Sequence, residues 1–497
     1  MKVQTGMRLT RTTLLRVLLA SSTILILIAN VASQVHALQV TTSSQLSVEK
    51  ANLIWERTYG GTSDERAFCI ATAQDGYLVA GSSKSVLAGR TVGWILRLDS
   101  EGVALWNRTY PAEGNSEIRH ILSLEEGFLL VGNLFLPSGD TDGFVCRVDL
   151  EGNLLWNLTL GGEQVDKLFS AVSTSDGFVL AGLTYSFGGG DSDAWVVKVN
   201  LAGKVVWNRT FGGVTEEAAR DIALMGGNYF VAGYSNYKGG EDYDFLLMKL
   251  DVSGNMVWNK TYGGLQSDKT YAIAAVEGGL VVAGDTRSKG MGDSDAWIIK
   301  VDGDGNLGWE KTVGGVDFDM PTCIVASKYG GCLIGGFTFS FGNGKRDFWL
   351  FKLNDSGELL WSCTQGKSSY EEAYGLIEVS ENEFVMAGWQ NYAEGGPYDY
   401  YVVEISPGSA SGWGSNFPVG LWFVAVAVVL AVFVLAFWLL RKRKHQNFNS
   451  KKTTRVVKIS LNNVTVLCSS SRDVSACFEQ FREEDLQRPH EGVVVGP

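Results

Sequence analysis

Apolar and polar positions alternate along this chain in short runs, and the runs return at a fixed spacing. The stretch Asp193-Ala-Trp-Val-Val-Lys-Val-Asn-Leu-Ala-Gly-Lys-Val-Val-Trp-Asn-Arg-Thr-Phe-Gly-Gly213 reads as a strand, a Gly-containing turn, a second strand and a Gly-Gly exit. The same text recurs at 244–264 and 295–315. The Trp of the second strand recurs at Trp55, Trp106, Trp156, Trp207, Trp258, Trp309 and Trp361, in steps of 51, 50, 51, 51, 51 and 52 residues. A period this regular sets the architecture before any local motif is weighed.

Each period carries four strand signals. A small-residue strand (Ala67–Ala71, Ala272–Ala275) is followed by a strand ending in Ala-Gly (76–81, 177–182, 279–284), then the Asp-Ala-Trp-Val-Val-Lys strand, then the Trp strand. Four strands repeated radially are a propeller blade, and each type occurs seven times. The first Trp strand, 53–59, precedes any complete period, and the last period stops at Ile405 without one. The spacing therefore predicts an all-β, seven-bladed β-propeller over 53–405, with the N-terminal strand closing the last blade. Such closure removes the open sheet edge that a linear array would have to cap.

The ends predict a membrane topology. Lys2, Arg8, Arg11 and Arg16 precede an apolar run, with Val35-His36-Ala37 as a small-residue cleavage site, so 1–37 reads as a signal peptide; an uncleaved anchor is the alternative. A polar leader (38–52) comes before the propeller and a Ser/Gly linker (406–416) follows it. Residues 417–440 contain an uncharged apolar stretch long enough to span a bilayer, followed at once by Arg441-Lys-Arg-Lys444. That basic cluster predicts one transmembrane helix with the propeller outside and a largely disordered tail, 441–497, in the cytoplasm. Val456–Val466 carries a strand signal within the tail.

The repeats resemble those of secreted bacterial and archaeal propeller proteins, and more distantly the blades of PQQ-like quinoproteins and Kelch proteins. The resemblance rests on Ser186-Phe-Gly-Gly-Gly-Asp-Ser-Asp-Ala-Trp195 and Ser340-Phe-Gly-Asn-Gly-Lys-Arg-Asp-Phe-Trp349. It implies the fold over 53–405 and little about activity, because propellers host many unrelated functions. Quinoprotein dehydrogenases of that kind usually have eight blades and an adjacent-cysteine disulfide, which disfavours their chemistry here.

Charge and composition narrow the function classes. A net charge of −12 over 497 residues argues against a nucleic-acid ligand. Carboxylates recur at one face: Asp142, Asp193, Asp244, Asp295, Asp347 and Asp399 open the third strands, with Val92 as the exception, and Asp64, Glu117, Asp166, Glu216, Asp268, Asp319 and Glu371 open the first strands. A ring of carboxylates suits Ca²⁺ or a cationic ligand. The favoured reading is turn capping, because every blade needs the same turn. Asp302-Gly-Asp-Gly-Asn306 resembles the start of a calcium loop but stands where other blades have plain hairpin turns.

Asymmetric residues are better functional candidates. These are His120, the single histidine between residues 38 and 416, and Arg66, Arg119 and Arg220, placed near inner strands to meet an anionic group. A Ser-His-Asp triad or a multi-histidine metal site would depend on His120 alone. Five sequons, at Asn107, Asn157, Asn208, Asn259 and Asn354, suit glycosylation of an outer strand or simply tolerance of Asn and Thr there. Cys323 and Cys332 fall on successive strands, where a disulfide is one option.

The expectation is a monomeric cell-surface platform, without cofactor, that binds an extracellular protein or polysaccharide. A hydrolase acting on carbohydrate through paired carboxylates, or an envelope structural element, is the alternative.

Overall fold

The computed structural model describes residues 48–408, apart from 88, 112–113, 238–241 and 392–395, and the backbone of 457–461 and 464–468. The signal segment, the linker and the apolar stretch 417–440 lie outside the described residues. Among the described residues no helix is long and apolar enough to cross a membrane.

Seven sheets account for the strands between residues 49 and 406, and the four strands of each blade are antiparallel. The third blade shows the pattern: Asp166–Thr174, Gly177–Thr184, Asp193–Asn200 and Val205–Phe211 pair in that order from the axis outward. In the second and third strands nearly every residue is buried, because both of their faces meet neighbouring sheets. Outer strands such as Val205–Phe211 are mostly exposed. Sheets pack face to face: Leu129, Val131 and Val145 of one blade form a single cluster with Leu168, Phe178 and Trp195 of the next.

The ring closes as the spacing predicts. Asn52–Tyr59 pairs antiparallel with Tyr398–Ser406, in register from Asn52↔Ser406 to Tyr59↔Tyr400. That strand covers Tyr401 and Val403, which are fully buried. The leader adds a feature the periodicity does not signal. Glu49–Lys50 pairs in parallel with Leu359–Gln365, as a fifth strand on the sixth blade, so the chain bridges the sixth and seventh blades before the first complete one begins.

The recurring Trp sits where one blade meets the next. A Cβ on Gly102, in the outer hairpin of the first blade, would strike the Trp55 ring of the closing strand; Gly152 stands the same way on Trp106, Gly203 on Trp156, Gly254 on Trp207 and Gly357 on Trp309. These turn glycines also have positive φ, so both backbone and space select glycine. Trp156 and Trp309 donate their indole N–H to the neighbouring turn, at Leu201 O (3.0 Å) and Asp355 O (2.9 Å). The strand signal of the tail corresponds to a hairpin, Val457–Leu461 with Val464–Cys468.

Candidate functional site: a bulged hoop around the channel

Every inner strand carries a β-bulge at the same place. In the third blade Leu168 pairs with Gly182 and Ser170 with Ala181, leaving Phe169 unpaired between them. The skipped residues around the ring are Phe68, Arg119, Phe169, Arg220, Tyr271, Thr322 and Tyr374. A bulge re-aims the side chain it displaces, and all seven line one cavity of ≈ 220 Å³ on the axis. The Gly of each Ala-Gly motif stands opposite the bulge. A Cβ on Gly182 would hit Lys167 O, one on Gly233 would hit Ala218 O, and one on Gly284 would hit Lys269 O. The inner strand approaches too closely for any side chain there.

From Phe68 to Tyr271 aromatic residues and arginines alternate in this hoop. The Arg119 guanidinium lies 4.1 Å from the Phe68 ring centroid; that of Arg220 lies 4.1 Å from Phe169 and 5.8 Å from Tyr271. Arg119 is 3.9 Å from Glu117. Arg220 makes no ion pair among the described residues, and its Nε has no partner. Burial holds Arg220 below the ordinary guanidinium range, and the like charge of Arg119 pushes it the same way. Both arginines also line a second cavity of ≈ 470 Å³ at the mouth, together with Lys167, Phe169, Tyr185 and Tyr234. They are the neck between mouth and channel. Arg66, two residues before the bulged Phe68, is exposed and lies over Tyr398 (4.6 Å) and Trp389 (5.5 Å) of the last blade.

His120 lines the channel too, and burial lowers it to about 4, so it is neutral. It hydrogen-bonds the backbone of Ala171 and leaves Nε2 without a partner. Ser170 and Asp221 lie in the same cavity, but Ser170 donates to Asp221 (2.6 Å), which also accepts the N–H groups of Ile222 and Ile273. The Ser-His-Asp trio is therefore not linked as a proton relay; its members tie neighbouring inner strands together.

The acidic residues occupy a different place. Asp193, Asp244, Asp295 and Asp347 are at most 4% exposed, and Asp142 is half-buried. Each faces the acid that opens the next inner strand across a glycine, as Asp142 faces Asp166 across Gly161 and Asp193 faces Glu217 across Gly212. Asp193 Oδ2 accepts Gly189 N–H (2.9 Å), Asp295 Oδ2 that of Met291 (2.5 Å) and Asp347 Oδ2 that of Gly344 (3.0 Å). The partner acids cap the Gly-Gly exit, as in Gly213 N–H to Glu217 (3.0 Å) and Gly162 N–H to Asp166 (2.7 Å).

In the first and fourth blades the buried carboxylates are Glu65 and Glu217, one residue beyond the Asp64 and Glu216 that the spacing suggests; in the second the position is Ser116, not Glu117. The junction with Ser116 is the one where Val92 replaces Asp and Tyr110-Pro111 replaces Gly-Gly. The two acids and the glycines form one structural unit, and there they are absent together. Crowding shows in the titration: burial, with Asp319 nearby, raises Asp295 to about 6, and burial with Asp347 raises Glu371 to about 7. Asp295 Oδ1 and Glu371 Oε2 have no partner.

The remaining candidates have local explanations. Asp302 accepts the N–H groups of Asp304 and Asn306 and the Asn306 amide, as Asp251 does in the previous blade. No group of three or more His, Cys, Asp or Glu suited to a metal ion occurs among the described residues. Asn354 is a turn residue of the same kind. Asn107 and Asn208 accept the indole N–H of Trp94 (3.3 Å) and Trp195 (2.7 Å), whereas in the blade of the exposed Asn157 Phe144 takes the place of that Trp and has no N–H to donate. Cys323 and Cys332 are both free: Cys332 lies opposite Ala326 and Cys323 opposite Gly335, so their side chains do not meet.

No family model and no curated protein matches this chain. Solved structures that resemble it do so weakly. A subtype N10 neuraminidase-like protein of A/little yellow-shouldered bat/Guatemala is 10% identical with TM-score 0.37, over 58% of this chain and 95% of that one. A protein of unknown function from Dyadobacter fermentans is 12% identical with TM-score 0.39, over 73% and 100%. The acylaminoacyl peptidase of Pyrococcus horikoshii is 10% identical with TM-score 0.40, over 81% and 57%. Likeness at this level bears on neither activity nor ligand.

Proposed function

We propose that this protein is a cell-surface binding platform, with the propeller displayed outside the membrane on the apolar segment 417–440 and a glycan or protein ligand engaging the channel mouth. One observation carries the reading. Around the axis the side chains depart from the repeat and present unpaired cationic and aromatic groups to two open cavities, while the repeating carboxylates are consumed in holding blades together. The mouth combines Phe169, Tyr185 and Tyr234 with the charged groups of Glu117, Arg119, Lys167 and Arg220, and a concave site in which polar groups converge between aromatic walls is the usual form of a ligand site.

The hydrolase alternative needs two carboxylates flanking an open cleft. The close carboxylate pairs of this chain stand behind glycine backbone at the blade junctions, which favours binding over hydrolysis. Calcium and a monomeric state remain parts of the proposal to be measured. The test is a glycan and protein screen with the full-length chain in detergent, with and without Ca²⁺, repeated with Tyr234→Ala at the mouth. A ligand lost with that variant supports the platform. Ligands that bind the variant and the parent equally would move the site off the channel.

A further inference from the structure

We infer that the neck formed by Arg119 and Arg220 is an anion site, and that the mouth above it takes a carboxylate-bearing sugar of an acidic polysaccharide. The inference rests on the channel mouth being the ligand-binding face.

The argument starts from an unbalanced charge. The chain as a whole is acidic, at −12, yet the mouth cavity gathers Arg119, Arg220 and Lys167 against the single carboxylate of Glu117. That carboxylate is shared: Glu117 Oε1 accepts the Asn133 amide (3.1 Å) and stands 3.9 Å from Arg119, beyond hydrogen-bond reach. Arg220 and Lys167 have no ion pair among the described residues. Two guanidinium groups that repel each other in a partly desolvated neck are unfavourable by themselves, and an anion held between them relieves both. Cation–π contacts with Phe68 and Phe169 hold the guanidinium planes without using up their N–H donors. Arg220 Nε is buried without a partner, and the outer N–H groups of the two guanidiniums present a fork that matches a carboxylate.

The walls select what carries the anion. Phe169, Tyr185 and Tyr234 line the mouth beside the arginines. Flat aromatic faces next to a carboxylate clamp suit a sugar ring that bears its acid at the edge. The mouth, ≈ 470 Å³, has room for a sugar whose acid reaches the neck, and the channel of ≈ 220 Å³ lies beyond the arginines. The site breaks the sevenfold repeat because only two of the seven bulge residues are arginine.

The experiment is calorimetry of the full-length chain in detergent with tri-galacturonate and, as the neutral counterpart, maltotriose. Tri-galacturonate should bind and maltotriose should not. Arg220→Met and Arg119→Met should each weaken binding on the order of tenfold or more, the scale of one charge-assisted hydrogen bond. Arg220→Lys should fall between, since it keeps the charge and loses the fork. Circular dichroism melts of each variant confirm that the fold persists, and affinity should fall as salt rises. Equal binding of both sugars, no binding of tri-galacturonate, or folded arginine variants that bind as the parent does would each overturn the anion site. If a neutral ligand is instead found that Tyr234→Ala abolishes and the arginine variants spare, the anion site fails while the platform stands.

Discussion

The blade junctions and the channel hoop are built from the same repeat, yet one keeps its chemistry and the other varies it. At the junctions Asp, a Gly and Asp or Glu recur in six places, the Gly being doubled in all but Gly366-Lys367, and where Val92 replaces the first, Ser116 and Tyr110-Pro111 replace the others. At the hoop the backbone bulge recurs in all seven blades while its residue runs through Phe, Arg, Tyr and Thr. Conserved geometry with constant side chains is a structural joint. Conserved geometry with changing side chains is a mount on which a site has been placed. The most numerous charged residues of this protein are therefore its poorest ligand candidates.

The largest effect that tests this contrast is expected at a junction glycine. A Cβ on Gly212 would overlap Asp193 Oδ1 and crowd Glu217 Oε2, two buried carboxylates already fixed by backbone N–H groups. Gly212→Ala should destabilise by about 1–3 kcal/mol or more. Nothing lies within 4 Å of a Cβ on its neighbour Gly213, so Gly213→Ala should stay within about 0.5 kcal/mol. Chemical denaturation of the two variants separates them. If both behaved alike, the paired carboxylates would not be the joint.

A second test is the response to pH. Asp295 and Glu371 have folded values raised to about 6 and about 7, above their ordinary range near 4. Between those limits the folded chain holds protons that the unfolded chain has released, so stability must fall as pH rises through the window. Melting temperature should be higher near about pH 5 than near about pH 7.5, the reverse of a protein held by ionised salt bridges. Asp295→Asn should raise stability at the upper pH by on the order of 2 kcal/mol and flatten part of the slope. A melting temperature that rose with pH would show that the carboxylate pairs are compensated in some other way.

These contrasts also explain what was legible beforehand. The blade count and the closure by Asn52–Tyr59 follow from the spacing of seven tryptophans, since a strand pattern without its partners must find them elsewhere in the ring. The hoop is harder to see, because a bulge moves one residue without changing the alternation around it. Its trace is the Gly of the Ala-Gly motif, present because Gly182 and its equivalents face carbonyl oxygens at contact distance. Reading that Gly as an ordinary strand residue hides Phe68, Phe169, Tyr271 and Tyr374, although Arg119 and Arg220 stand out by their charge. The one-residue offset at Asp64 and Glu216 arises because adjacent acids, Asp64-Glu65 and Glu216-Glu217, leave the buried partner ambiguous until the capped Gly N–H is known. Glu49–Lys50 joins the sixth blade through backbone pairing that no side-chain pattern announces.

The outer strands supply a smaller comparison of the same type. Asn208 accepts the buried Trp195 indole at 2.7 Å, while in the blade of Asn157 Phe144 stands in place of that Trp and offers no donor. Asn208→Ala should lose about 1 kcal/mol, the value of an indole left unpaired, and Asn157→Ala almost nothing. Thermal melts of the unglycosylated chain from a bacterial host isolate this term. A mass shift removed by Asn157→Gln in a glycosylating host would give that sequon a role that packing does not explain.

A small expected change in stability is informative about the hoop. Arg220 is a charged group without a carboxylate, close enough to Arg119 to be disfavoured by it. Arg220→Met keeps the length of the side chain and its contact with Phe169. It gives up a cation–π attraction of about 0.5–2 kcal/mol and is relieved of desolvation and like-charge repulsion of similar size. Stability should therefore shift by no more than about 0.5 kcal/mol, with an increase as acceptable as a decrease. Arg346, which pairs with the nearly buried Glu372, gives the opposite expectation: Arg346→Met strands a carboxylate and should be clearly destabilising. A stability loss at Arg220 as large as that at Arg346 would make the hoop another joint of the ring, and the division between scaffold and site would have to be drawn elsewhere.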